Sequence, residues 1–252
     1  MFFEQNAEPW YREWFNSPYY HLLYEKRDDD EAASFINHLI EIIRPNPGDS
    51  MLDIGCGKGR HSKMLAAKGF YVTGLDISEE SINEARKSEN EHLEFFIHDM
   101  RRTYRINYYN YVFNFFTSFG YFNTKQEHLN AIRTFCQALR KNGLLVIDYL
   151  NVHYVEKYLT PQAEFNKNDV HFSITKWQDE THFYKKVEVE DKNKFNRPFA
   201  FTEKVAKFTI GDFNEMLSYH GMQIHDIYGT YDFKPYDLYE SPRLILTAKK
   251  IR

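Results

Sequence analysis

The chain has 252 residues, a net charge of −4 and a pI near 6.3. That is length for one substantial core and a small subdomain, without the basic excess that nucleic-acid partners require. The N-terminal MFFEQNAEPWYREWF lacks the basic and apolar regions of a leader peptide, no apolar run is long enough to span a bilayer, and the two distant cysteines, Cys56 and Cys136, argue against a disulfide framework or a cysteine-based zinc site and fit a reducing cytoplasm.

Apolar residues at Ala32, Phe35, Ile36, Leu39, Ile40 and Ile43 recur at helical spacing, predicting a helix over 31–43 that Pro45, Pro47 and Gly48 end. A strand over 50–54 then runs into the glycines of MLDIGCGKGR. Gly55, Gly57 and Gly59 allow positive φ and a close approach of backbone to ligand, with the free N–H groups of the next helix behind them. The spacing is G-x-G-x-G. A dinucleotide fingerprint would place its last glycine where Arg60 stands, and the Lys-Ser/Thr pair of a Walker loop is absent.

A helix over 60–68, closed by Gly69, and a strand over 71–75 ending in Asp76 complete a βαβ unit. Ser78, Glu79 and Glu80 open a helix reaching about residue 87, and a third strand over 93–97 ends at His98 and Asp99. A fourth strand over 111–116, an amphipathic helix over 125–140 and a fifth strand over 144–147 ending in Asp148 follow. This alternation predicts a parallel sheet covered on both faces. The rhythm changes after residue 150: β-type runs at 170–177, 182–190 and 201–208 predict an antiparallel insertion. A helix over 209–220, closed by Gly221, and strands over 223–230 and 243–249 end the chain.

In an open α/β sheet, ligands bind beyond the carboxyl ends of the strands where strand order reverses. Those ends carry Asp53 with the glycine loop, Asp76, Asp99, residues 116–118 and Asp148. Asp76 can accept both hydroxyls of a ribose, while Asp99 can accept an exocyclic amine as Met100 packs on the base. Each acid alone also fits a helix N-cap, yet two at successive strand ends downstream of the glycines describe a nucleoside pocket. Cys56 reads as a small loop residue, since no histidine pattern is placed to activate it.

LDIGCGKGR, LDIS and HDM, in this order and at these separations, resemble the first three motifs of the class I S-adenosylmethionine-dependent methyltransferases. The β insertion and the NFFTSFGYF segment are similar to the bacterial small-molecule subgroup, although Asn110 stands where that subgroup usually has Asp. The resemblance implies a doubly wound, seven-stranded Rossmann-like α/β sheet whose last strand is inserted antiparallel between the fifth and sixth. It divides the chain into an N-terminal lid segment (1–30), a cofactor-binding core (31–150), a β insertion forming a substrate lid (151–208) and the C-terminal part of the core sheet (209–252).

The cofactor set implied by the resemblance has Gly55, Cys56 and Gly57 at the methionine moiety, with Asp53 ordering the loop. Asp76 and Ile77 lie at the ribose, Asp99 and Met100 at the adenine, and Phe116 and Thr117 beside the amino group and sulfonium. Lys58 is expected to point to solvent. Tyr24 and Arg27 lie either on a segment laid over the cofactor or on a surface helix with an apolar stripe.

Methyl transfer from a sulfonium is an in-line displacement, so alignment and exclusion of water matter more than a strong base. Candidates for a base are His153, Tyr121 and Asp148, with half-buried packing the competing reading for each. Trp10, Tyr11, Trp14, Phe15, Tyr19 and Tyr20 suit either a lid over a small molecule or a dimer contact. The expected enzyme transfers a methyl group to O or N of a small molecule in the cytoplasm, as a monomer or homodimer, without metal, nucleic acid or membrane. The alternatives are a nucleic-acid or protein methyltransferase, and a non-catalytic module that binds the cofactor. The nucleic-acid alternative is weakened because Asn114 is followed by Phe115 and Phe116 and not by a Pro-Pro turn.

Overall fold

The computed structural model describes residues 10–24, 29–191, 193–194 and 198–251. The elements begin with α1 (Trp10–Phe15), α2 (Pro18–Tyr24), α3 (Asp29–Ile43), β1 (Ser50–Ile54), α4 (Arg60–Ala67), β2 (Tyr71–Asp76), α5 (Glu79–Arg86) and β3 (Leu93–Ile97). They continue with β4 (Tyr109–Asn114), α6 (Lys125–Ala138), β5 (Leu139–Leu150), α7 (Val152–Tyr158), β6 (Gln162–Lys167) and β7 (Val170–Gln178). The last are β8 (His182–Glu190), β9 (Phe199–Ala206), α8 (Ile210–Ser218), β10 (Met222–Tyr228) and β11 (Arg243–Lys250). The chain forms two compact units, residues 27–158 with 208–252, and residues 1–26 with 159–207.

The larger unit is a seven-stranded sheet in the order β10-β11-β5-β4-β1-β2-β3. β1 to β5 pair in parallel, and β11 lies antiparallel between β5 and β10, as the resemblance implies. On one face, Phe35, Ile36 and Leu39 of α3, Leu65 of α4 and Ile82 of α5 close over Met51, Val72, Phe95 and Phe113. On the other, Phe135 of α6 and Phe213 of α8 pack around Phe119, and Phe213 meets Tyr149. Covered on both sides, β1 reads as a nearly continuous buried run. The helices start where side chains satisfy free N–H groups: Ser78 caps α5, and Thr124 with Glu127 and Thr209 with Asp212 form capping boxes on α6 and α8. Strand order reverses between β1 and β4, so the glycine loop and residues 115–118 flank the switch point.

The expected strand over 111–116 ends at Asn114, because Phe116 and Thr117 adopt φ of 53° and 58° and leave the sheet. The helix expected to reach residue 140 stops at Ala138, where Leu139 turns extended and pairs with Tyr109. α1, α7 and β6 were not expected from the sequence. β6 lies at the sheet edge beside β7 and is exposed at all but its last residue, so it shows no alternation.

The smaller unit is an antiparallel sheet in the order β6-β7-β8-β9. Trp14 and Tyr19, from α1 and α2, are buried with Val170, Phe172, Ile174, Val187 and Val189. Trp14 Nε1 donates to Glu203 Oε1 at 2.8 Å and the Tyr19 hydroxyl donates to Asp191 at 2.8 Å. These two aromatics therefore complete the core of the insertion. Among the described residues no helix is long and apolar enough to cross a membrane.

Candidate active site

The loop after β1 is built from glycines used in different ways. Gly55, Gly57 and Gly59 have φ of 77°, 54° and 75°. A Cβ on Gly55 would lie 2.6 Å from Ser118 Cβ, and one on Gly59 2.4 Å from Phe95 Cζ, so both glycines permit close packing. A Cβ on Gly57 would meet nothing within 4 Å. Gly57 faces open space, and its N–H is turned toward Asp76, donating to Oδ2 at 2.8 Å. The other oxygen of Asp76 accepts the Ser78 N–H at 2.8 Å. Burial raises the Asp76 carboxyl above its ordinary range, opposed by these backbone donors. Ile77 beside it is partly exposed.

Asp53 lies beneath the loop, fully enclosed, and accepts the Ser62 hydroxyl at 2.6 Å. Burial raises its carboxyl to about 7; Ser62 opposes the shift and the Asp76 charge adds to it. Cys56 is buried with its thiol pushed well up by burial, which suits a loop-packing residue and not a nucleophile. Lys58 is exposed, and the Arg60 guanidinium lies 5.7 Å from the centre of the Phe116 ring.

β3 brings Asp99 next to Asp76, with the His98 N–H donating to the Asp76 carbonyl at 2.8 Å. Arg101 clamps Asp99, its Nε 3.0 Å from Oδ1 and its Nη2 2.6 Å from Oδ2, and also contacts Glu127. Burial alone would raise the Asp99 carboxyl, but Arg101 prevails and holds it low. Thr134 donates to the Met100 carbonyl, tying this corner to α6.

The end of β4 is joined to the glycine loop from below. Asn114 Nδ2 donates to the Ile54 carbonyl at 2.8 Å, and Ser118 Oγ donates to the Gly55 carbonyl at 3.3 Å. Phe116 and Thr117 are held by Asp148: its Oδ2 accepts the Phe116 N–H at 2.8 Å and its carbonyl accepts the Thr117 N–H at 3.0 Å. Asp148 is 0% exposed and paired with Arg243 of β11, Nε to Oδ1 at 2.8 Å. Burial pushes Asp148 up and Arg243 pulls it back, while the Asp148 charge keeps Arg243 protonated against the burial that would lower it. A buried carboxylate so occupied positions backbone. Sequence reading did not single out Arg243 or Ser62; an arginine leading the apolar run of β11 was the available signal.

Of the remaining expected residues, His153 lines a cavity of about 160 Å³ at the carboxyl end of β5, with Asn151, Phe208, Ile210, Tyr236 and Leu244 among its walls. Asn151 shapes this cavity: Nδ2 donates to the carbonyls of Leu238 and Ser241 at 2.9 and 2.8 Å, and Oδ1 accepts the Tyr236 hydroxyl at 3.1 Å and the His153 N–H at 3.2 Å. Tyr121, after β4, is partly exposed and interacts electrostatically with Tyr149 and Arg243. Tyr24 belongs to the smaller unit, where its hydroxyl donates to Glu203 at 3.0 Å and accepts from Lys185. Arg27 lies outside the described residues. Among the described residues no three His, Cys, Asp or Glu are grouped to hold a metal ion.

The open space over Gly57, the Asp76 carboxylate bonded to its N–H and the second acid just after β3 fit a nucleoside-bearing ligand at the switch point of a doubly wound sheet. A family model described as a methyltransferase domain matches residues 24–224. The chain belongs to this family, the class I S-adenosylmethionine-dependent methyltransferases, and S-adenosylmethionine is its methyl donor. It is 28% identical over 227 residues to YqeM of Bacillus subtilis (strain 168), which bears a provisional methyltransferase name, covering 84% of this chain and 87% of that protein. It is 29% identical over 133 residues to the dTDP-3-amino-3,4,6-trideoxy-alpha-D-glucopyranose N,N-dimethyltransferase of Streptomyces venezuelae, covering 51% and 54%. Its fold matches the solved sugar N-methyltransferase KedS8 from Streptoalloteichus sp. ATCC 53650 with a TM-score of 0.72, at 18% identity and covering 92% and 93%.

Proposed function

We propose that this enzyme methylates O or N of a small molecule, with an amine on a sugar-like acceptor the form favoured by its relatives' names. The observation that carries the small-molecule reading is the cavity of about 160 Å³ at His153. It has room for one ring-sized group. The net charge of −4 also disfavours a polyanionic acceptor.

In this reading Asp76, with Ile77, receives the ribose hydroxyls. Asp99 and Met100 receive the adenine, with Arg101 orienting the carboxylate. Gly55, Cys56 and Gly57 supply the loop beside the methionine moiety, and Asp53 braces that loop through Ser62. Phe116 and Thr117 form the opposite wall. When bound, the donor supplies a methyl group already activated on a sulfonium. The protein's task is to align the acceptor, exclude water and accept a proton where one must leave. His153 is assigned that proton; Tyr121 is the second candidate, and Asp148, paired with Arg243, is assigned to positioning. Both cysteines are free and buried, compatible with the cytoplasm.

The acceptor class is tested by offering amino- and hydroxy-sugar nucleotides with trideuteriomethyl-labelled donor and reading product masses. Transfer to the amines supports the N-acceptor form, transfer only to hydroxyls redirects it to oxygen, and no transfer to any of them removes the sugar-like acceptor.

A further inference from the structure

Two adjacent residues at the end of β4, Phe116 and Thr117, adopt φ of 53° and 58°. Neither is glycine, and a β-branched threonine is especially ill suited to this region. Such a pair persists only where its surroundings over-determine it. Here they do. Asp148 accepts both backbone N–H groups, at 2.8 Å through Oδ2 and 3.0 Å through its carbonyl. Arg243 donates from Nη2 to Thr117 Oγ1 at 2.8 Å and from Nε to Asp148 Oδ1 at 2.8 Å. Its guanidinium lies 5.5 Å from the centre of the Tyr231 ring, which in turn packs 4.8 Å from Phe116.

The arrangement is costly for a merely structural element. A buried ion pair is weak evidence of stability, since desolvation offsets much of its attraction, and left-handed residues add strain. Both are concentrated at the switch point, on the side of the glycine loop away from Asp76 and Asp99.

We infer that Arg243 is a positioning residue for the methyl donor: with Asp148 it fixes the Phe116–Thr117 turn, which sets the wall of the methionine end, while the nucleoside end is held independently by Asp76 and Asp99. The inference rests on the assignment above of that wall to the methionine moiety. Its consequence is selective. Loss of Arg243 weakens ligands that carry the amino-acid end and spares those that lack it.

S-adenosylhomocysteine and 5′-methylthioadenosine separate the two ends, because they share the thioadenosine and differ by the amino-acid portion. Calorimetric titration of both into wild type, Arg243→Met and Thr117→Val is the test, with folding checked by circular dichroism and melting. Arg243→Met should lower S-adenosylhomocysteine affinity by about tenfold or more, the loss expected of one charge-assisted interaction, and leave 5′-methylthioadenosine unchanged. Thr117→Val, nearly isosteric, should show the same selectivity with a smaller loss. If Arg243→Met fails to fold, Thr117→Val decides. Equal loss for both ligands, or no loss for either, would overturn the inference. Wild-type protein that binds 5′-methylthioadenosine but gains nothing from the amino-acid end would overturn the assignment of the wall, and the inference with it.

Discussion

The backbone N–H of Gly57 donates to Oδ2 of Asp76 at 2.8 Å, so the loop after β1 and the acid that ends β2 form one hydrogen-bonded unit. In the proposed assignment, removing the carboxylate removes a ribose contact and also releases the loop. Asp76→Ala should abolish measurable donor binding by calorimetry. Two hydroxyls bonded to a carboxylate contribute about 1.5–3 kcal/mol each, so the loss should be about 100-fold or greater. Affinity within about threefold of wild type would show that the ribose is held elsewhere.

The glycines should separate binding from stability. An alanine at position 57 costs about 1–2 kcal/mol for its left-handed backbone, and its methyl enters the open space assigned to the donor. Gly57→Ala should keep most of its thermal stability and lose binding. At position 59 the same substitution drives a methyl toward Phe95 Cζ at 2.4 Å, adding an overpacking cost of about 1–3 kcal/mol. Gly59→Ala should melt lower than Gly57→Ala, as followed by circular dichroism.

Asp53 predicts a pH dependence of stability. Burial raises its folded carboxyl from 3.8 to about 7, so between these values the folded state holds a proton that the unfolded chain has released. Its contribution is full below pH 3.8 and is lost as pH rises through about 7. Asp53→Asn keeps an acceptor for Ser62 and removes the titration. Denaturant unfolding should show wild type losing on the order of 4 kcal/mol across this window relative to Asp53→Asn. Parallel curves for the two proteins would contradict the shift.

His153 sits on the cavity wall and contributes nothing to the Gly57–Asp76 unit. His153→Gln should therefore leave S-adenosylhomocysteine affinity unchanged in calorimetry. Turnover of an acceptor that must lose a proton should fall by about 10²–10⁴-fold. Unchanged turnover would transfer the role to Tyr121 or to solvent.

The arrangement proposed for the donor was legible because it is local. Three alternating glycines, an acid ending β2 and another after β3 each follow their strand directly. The left-handed turn at Phe116 and Thr117 was not, although the resemblance named both residues. Its apolar sequence reads as more strand, and the turn is imposed by Asp148, 32 residues on, and Arg243, 126 residues beyond Thr117. The parallel core announced itself through buried runs, whereas β6, exposed along nearly its whole length, carried no pattern to read. The aromatic N-terminus signalled burial without saying against what. Its partner strands β7 and β8 lie more than a hundred residues away in sequence.

The central claim, methyl transfer to a small molecule, is met most directly by one labelling measurement. The protein is incubated with trideuteriomethyl-labelled S-adenosylmethionine and a cell extract, which is then separated by ultrafiltration and read by mass spectrometry. The prediction is enzyme-dependent label in a low-mass product and none in the macromolecular fraction, with the signal lost in Asp76→Ala. Label appearing only in nucleic acid or protein would contradict it.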